Sequence, residues 1–130
     1  MRYILLIYTE EPTADVPDDV MAAEFGEYDA FSELLRTRGA YEAGEALQPT
    51  ATATTVRVTD GQTVATDGPY AETKEALGGF YLVEAADLDE AIDFAARIPG
   101  ARHGAIEIRP IFEQAPSGRD VRPAEATAAN

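Results

Sequence analysis

"GGFYLVEAADLDEAIDFAARIPGARHGAIEIRPIF", residues 78–112, carries a strand, a helix and a second strand in one uninterrupted stretch. GGFYLVEA is aromatic and β-branched and reads as a strand. Asp87 then offers a helix N-cap, and Glu90, three residues on, completes a capping box. Leu88, Ala91, Ile92 and Ala95 give the helix its expected apolar face, and Pro99-Gly100 ends it. In GAIEIRPIF, Ala105, Ile106, Ile108 and Phe112 mark an edge-tolerant strand whose end is placed by Pro110.

Working back from this unit, the chain holds a second one like it. RYILLIY, residues 2–8, is a continuous apolar run of the kind covered on both faces. After the polar, proline-marked EEPTADVP, the residues Met21, Phe25, Tyr28, Ser32 and Leu35 recur at helical spacing, Phe31 and Leu34 widen the stripe, and Gly39 supplies a stop. AYEAGEAL, 40–47, reads as a short strand. TTVRVTD (54–60), Gly61 and TVAT give a hairpin centred on Asp60-Gly61. Strand, helix, strand, inserted hairpin, strand, helix, strand predicts an α+β fold: a ferredoxin-like split βαβ sandwich with both helices on one face of an antiparallel sheet. The other face then exposes apolar side chains, which predicts a symmetric homodimer packed sheet on sheet. The domain is expected to span residues 1–113, and residues 114–130, poor in large apolar side chains, to form a disordered C-terminal tail.

With 24 acidic against 10 basic residues and a net charge of -14, the chain would repel a phosphate backbone, so no nucleic-acid partner is expected. It has no cysteine, which excludes disulfides, thiolate catalysis and thiolate metal ligands. One histidine, His103, cannot build a multi-histidine metal site, so neither metal nor cofactor is expected. No apolar run approaches the roughly 20 residues of a bilayer span. The apolar start is too short, and too soon followed by acids, for a signal peptide; the expectation is a cytoplasmic protein without membrane contact.

Candidate site residues gather around VATDGPYAETKE, 64–75. Asp67 precedes Gly-Pro, whose restricted backbone fixes a turn. Its carboxylate is then either aimed into a pocket or an acceptor for nearby backbone amides. Glu72 and Lys74 share one face of an extended segment, while Glu75 takes the other and reads as solvated. Glu45 follows Gly44, which permits close approach; it either faces Asp67 across the sheet as half of a carboxylate couple or pairs with Lys74. Tyr8, Tyr28 and Tyr70 are candidates to line a cleft, against the alternative of ordinary core aromatics. His103, beside Gly104, is the one side chain that titrates near neutrality, and otherwise a surface group. Gly78-Gly79 opens a strand and not a helix, among acids, so it is no phosphate cradle.

GEALQPTATATTVRV, TDGPYAETKEALGGFYLVEA and ARHGAIEIRPI, with YILLIY at the start, resemble the DGPF-domain branch of the YCII-related family over about residues 1–113. The resemblance implies a dimeric α+β barrel and a pocket centred on the DGPY motif, with Asp67 matching the family's proposed catalytic aspartate. The family's histidine on the first helix is missing, and Tyr28 stands in its place. Three functions follow as expectations. One is a small-molecule-binding protein. Another is a cofactorless enzyme for proton transfer, elimination or isomerisation, with Asp67 as base and Tyr28 or His103 as donor. The last is a regulatory partner of an extracytoplasmic-function sigma factor.

Overall fold

In the computed structural model, which describes residues 1–113, the chain runs β1 (Arg2–Glu10), α1 (Asp18–Thr37), β2 (Tyr41–Ala46), β3 (Thr54–Thr59), β4 (Gln62–Asp67), β5 (Glu75–Glu84), α2 (Leu88–Arg97) and β6 (Ala105–Pro110). The expected tail, 114–130, lies outside the described residues. β2, β5, β1 and β6, in that order, make a four-stranded antiparallel sheet, and β3 and β4 pair as a separate hairpin. Each βαβ half is thus split by a strand of the other half, as the element pattern predicted.

The apolar run of β1 puts alternate side chains on the two faces of the sheet. Tyr3, Leu5 and Ile7 are buried, with Tyr81 and Val83 of β5 beside them, beneath Phe31 and Leu35 of α1 and Ala91 and Phe94 of α2. Ile4 and Leu6, opposite Leu82 and Phe80, occupy the other face and stay partly exposed. One face of β1 is therefore covered within the chain, and not both. Between Ile7 and Tyr8 the register slips: Ile7 opposes Gly79 and Tyr8 opposes Leu77, so Gly78 is the extra residue of a β-bulge.

Local signals set the element ends. α1 begins with Asp18 and Asp19 against the positive end of the helix dipole. It ends in a Schellman turn: Gly39 at φ 70° donates to the Arg36 carbonyl, and Ala40 donates to that of Leu35 at 2.8 Å. Asp87 caps α2, accepting from the Glu90 amide at 2.9 Å. The Glu90 carboxylate in turn accepts from the Ala86 amide at 2.7 Å, one residue ahead of the usual box partner. Asp60 and Gly61 both have positive φ, 51° and 78°, the geometry of a type I′ hairpin turn.

The face of α2 differs from expectation. Leu88 and Ile92 are about half exposed, and the helix is anchored by Ala91, Phe94 and Ala95, with Ile98 just beyond it. These four lie at i, i+3, i+4 and i+7, one face of the helix turned toward the core by Phe94, the largest fully buried side chain.

Candidate functional site

The apolar stripe of α1 does two different things along its length. Of twenty residues only Phe31 and Leu35 are buried, both in the C-terminal half. Met21 and Phe25, in the N-terminal half, leave 41% and 55% of their surface exposed. Beneath them, between α1 and the helix-side face of β1, β5 and β2, is a cavity of about 410 Å³, within the size range of small-molecule sites. Glycine shapes its floor. Gly44 of β2 lies opposite Tyr81, and a Cβ at 44 would come within 2.7 Å of the Tyr81 ring. A Cβ at Gly79 would meet the Glu45 carbonyl at 2.9 Å. Gly44 thus leaves room for the Tyr81 ring to lie against β2, and Gly79 for the close approach of the β2 backbone.

Thr9, Tyr28, Ser32 and Tyr81 are the hydroxyl-bearing residues of the cavity wall. Tyr81 Oη and Ser32 Oγ are hydrogen bonded at 2.9 Å, and the Tyr81 hydroxyl also lies 3.4 Å from the Tyr28 carbonyl. The Tyr81 ring is fixed by an edge contact with Phe31 at 5.0 Å between centroids. The Tyr28 hydroxyl accepts from the Gly100 amide at 3.2 Å, and its own proton finds no acceptor among the described residues. Burial raises the pKa of Tyr28 above the ordinary 10.0, and the nearby Glu24 carboxylate pushes the same way. Burial also raises Tyr81, with Asp29 contributing. Both phenols are therefore neutral at physiological pH and serve as hydrogen-bond donors, not bases. The lining also includes Glu24 and Asp29 of α1 but no lysine, arginine or histidine; Glu45, paired with Phe80, borders the cavity through its backbone and turns its carboxylate to the open face of the sheet.

A model of the YCII-related domain matches residues 1–115. The chain belongs to the YCII-related family. An uncharacterised protein of Rhizobium meliloti (strain 1021) is 51% identical over 67 residues, a stretch covering 50% of this chain and 54% of that relative. The chain thus spans about half the length of the curated relative it matches. Among solved structures, the fold resembles 5-chloro-2-hydroxyhydroquinone dehydrochlorinase of Burkholderia phenoliruptrix AC1100, in complex with 2,5-dihydroxybenzoquinone. The TM-score is 0.52 at 17% identity, with 88% of this chain and 96% of that one covered. At that identity the likeness is one of fold.

In this YCII-related protein the sequence-derived candidates are scattered. Tyr28 stands in the cavity wall, and Glu45 borders the cavity through its backbone with its side chain on the Phe80 face of the sheet. Asp67 is the exposed last residue of β4, opposite Thr54 in the hairpin ladder, and lines no part of the cavity. It neither faces Glu45 across a shared sheet nor accepts a local amide; the turn is held instead by the Gly68 amide on the Ala53 carbonyl and Thr55 Oγ1 on the Gly68 carbonyl, each at 2.8 Å. Glu72 and Lys74 border a separate depression of about 440 Å³ beside Gly68-Pro69, with Glu11 and Thr50. Lys74 pairs with Glu10 at 3.3 Å, not with Glu45. Tyr70 is 79% exposed and stacks against the Arg57 guanidinium. His103 sits in a separate cleft on the other flank of α1, near Glu27 and Arg102. Tyr8 points away from the cavity, on the sheet face shared with Leu77 and Ala105.

Ser32, Phe25, Gly44 and Tyr81 were not singled out as site residues. Their signal was the interruption of the α1 stripe by Tyr28 and Ser32, polar groups where a core helix would carry Leu or Ile. Among the described residues no helix is long and apolar enough to cross a membrane, and no group of three or more His, Asp or Glu side chains is placed to hold a metal.

Proposed function

We propose that this YCII-related protein, assigned to the DGPF branch by its Asp67-Gly68-Pro69-Tyr70 string, binds a small organic molecule between α1 and the sheet. The observation that carries the reading is the Tyr28 hydroxyl, whose proton has no acceptor among the described residues, beside the Ser32–Tyr81 pair in a largely apolar cavity. The pocket thus moves from the DGPY turn, where the sequence centred it, to the helix. A binding role is favoured over proton transfer with Asp67 as base and Tyr28 or His103 as donor, because neither Asp67 nor His103 lines the same cavity as Tyr28, and a general base must come within hydrogen-bond reach of the proton it removes. The fold relative's small quinone ligand is consistent with this scale of guest.

The test is titration with 4-ethylphenol, an uncharged probe, followed by backbone amide shifts. Shifts should concentrate at Phe25, Tyr28, Gly44 and Tyr81 and disappear in Ala46→Trp, which fills the cavity from an exposed position on edge strand β2. Shifts spread elsewhere, or unchanged in that variant, would overturn the assignment.

The same reading includes a second copy of the chain covering Ile4, Leu6, Phe80 and Leu82 on the open face of the sheet, the dimeric α+β barrel arrangement. Apolar surface left in water there costs about 25 cal/mol per Å². Light scattering at micromolar concentration should return twice the chain mass, and a stable monomer would contradict it.

A further inference from the structure

The cavity has an electrostatic sign as well as a shape. Glu24 and Asp29 of α1 line it, neither is in an ion pair among the described residues, and no cationic side chain lines it. The basic groups of α1 and its neighbours are paired elsewhere: Arg36 with Glu33, Arg38 with Asp93, and Arg102 with Glu27. An anion entering would meet these two carboxylates and the field of a chain with net charge -14. A cation would meet the same carboxylates together with the aromatic rings of Phe25, Tyr28 and Tyr81, which attract positive charge through the ring quadrupole. Burial holds both phenols protonated; Glu24 and Asp29 add to it at Tyr28 and Tyr81 respectively, while Arg102 and Arg36 act the other way.

We infer that the ligand is an organic amine, protonated at neutral pH, with an apolar or aromatic body sized for the cavity. Its ammonium sits at the Glu24 and Asp29 carboxylates and its body packs against the apolar wall and the Tyr81 ring. This rests on the binding reading above and adds the charge of the guest. Selectivity comes from the rim and affinity from the apolar body, so loss of the rim charge changes which ligand is preferred without closing the cavity. Because the two carboxylates are solvated, each contributes a factor of roughly two to three, and together about fivefold.

Three probes share one aromatic body and differ in charge: tyramine (cation), tyrosol (neutral) and 4-hydroxyphenylacetate (anion). Calorimetric or amide-shift titration should give affinities in that order, with about fivefold between tyramine and tyrosol at low salt. The combined Glu24→Gln and Asp29→Asn variant should bring the tyramine affinity down to that of tyrosol. Both positions are exposed, so the variant keeps its core, and its amide spectrum verifies the fold. Equal binding of all three probes in the cavity, blocked by Ala46→Trp, would overturn the charge inference and leave the binding reading standing. A tyramine preference that survives in the carboxylate variant would assign it to net charge alone and overturn the inference as well. Failure of every probe to bind would remove the binding reading, and this inference with it.

Discussion

Replacing Gly44 with alanine puts one methyl group into the most constrained point of the cavity floor. The new Cβ would stand 2.7 Å from Tyr81 Cδ1 and 2.9 Å from Cε1, where real Cβ contacts are essentially never found below 3.0 Å. The ring has little room to retreat: it is only 7% exposed, meets Phe31 edge-on at 5.0 Å, and is tied by its hydroxyl to Ser32. Overpacking of this kind costs about 1–3 kcal/mol. Against it stands a gain of about 0.4–1 kcal/mol from the stiffer unfolded chain. The net expectation is a loss of about 1–2 kcal/mol, a fall in Tm of roughly 3–8 °C for a chain of this size. Tyr81→Leu removes the ring and with it the clash, so chemical denaturation of the two single variants and the double variant should show coupling, the Gly44→Ala penalty shrinking when the ring is absent. A neutral or stabilising Gly44→Ala, or a penalty unchanged in the Tyr81→Leu background, would refute the role given to glycine in shaping the cavity.

Tyr28→Phe leaves the Gly100 amide without its acceptor, so stability should fall by about 1 kcal/mol while 4-ethylphenol binding weakens; lost binding without lost stability would break the hydrogen-bond assignment. The raised pKa values of Tyr28 and Tyr81 mean that the folded state holds these two protons more tightly than the unfolded chain. Their contribution to stability should therefore be complete below pH 10 and lost as pH climbs through the raised folded values, and phenolate absorbance should show two of the six tyrosines titrating late. Asp87→Ala removes the cap of α2 and should cost about 1 kcal/mol in urea unfolding, whereas Asp87→Asn should cost much less.

The sequence by itself determined the elements and their ends, because the signals are local. Gly39 closes α1, Asp87 and Glu90 open α2, and Asp60-Gly61 turns the hairpin through contacts spanning at most a few residues. The apolar runs of β1 and β5, with the order of elements, were enough for the split βαβ sheet, although the run of β1 reads as covered on both faces and the chain covers one. What only the tertiary structure decided was where those elements leave a space and which charges border it. Met21, Phe25, Tyr28, Ser32 and Leu35 form one stripe in the sequence, yet the stripe covers the core at Leu35 and a cavity at Phe25, since contact depends on how the helix lies over the strands and not on its own periodicity. Gly44 comes against Tyr81 through a cross-strand register containing bulges, a pairing that no spacing along the chain encodes. Asp67 was prominent because DGPY is a dense local motif, and a dense motif fixes a turn without fixing what the turn faces. In this fold it closes a peripheral hairpin, while the cavity takes its carboxylates, Glu24 and Asp29, from α1 and its floor from β1, β2 and β5, brought together by the packing of helix on sheet.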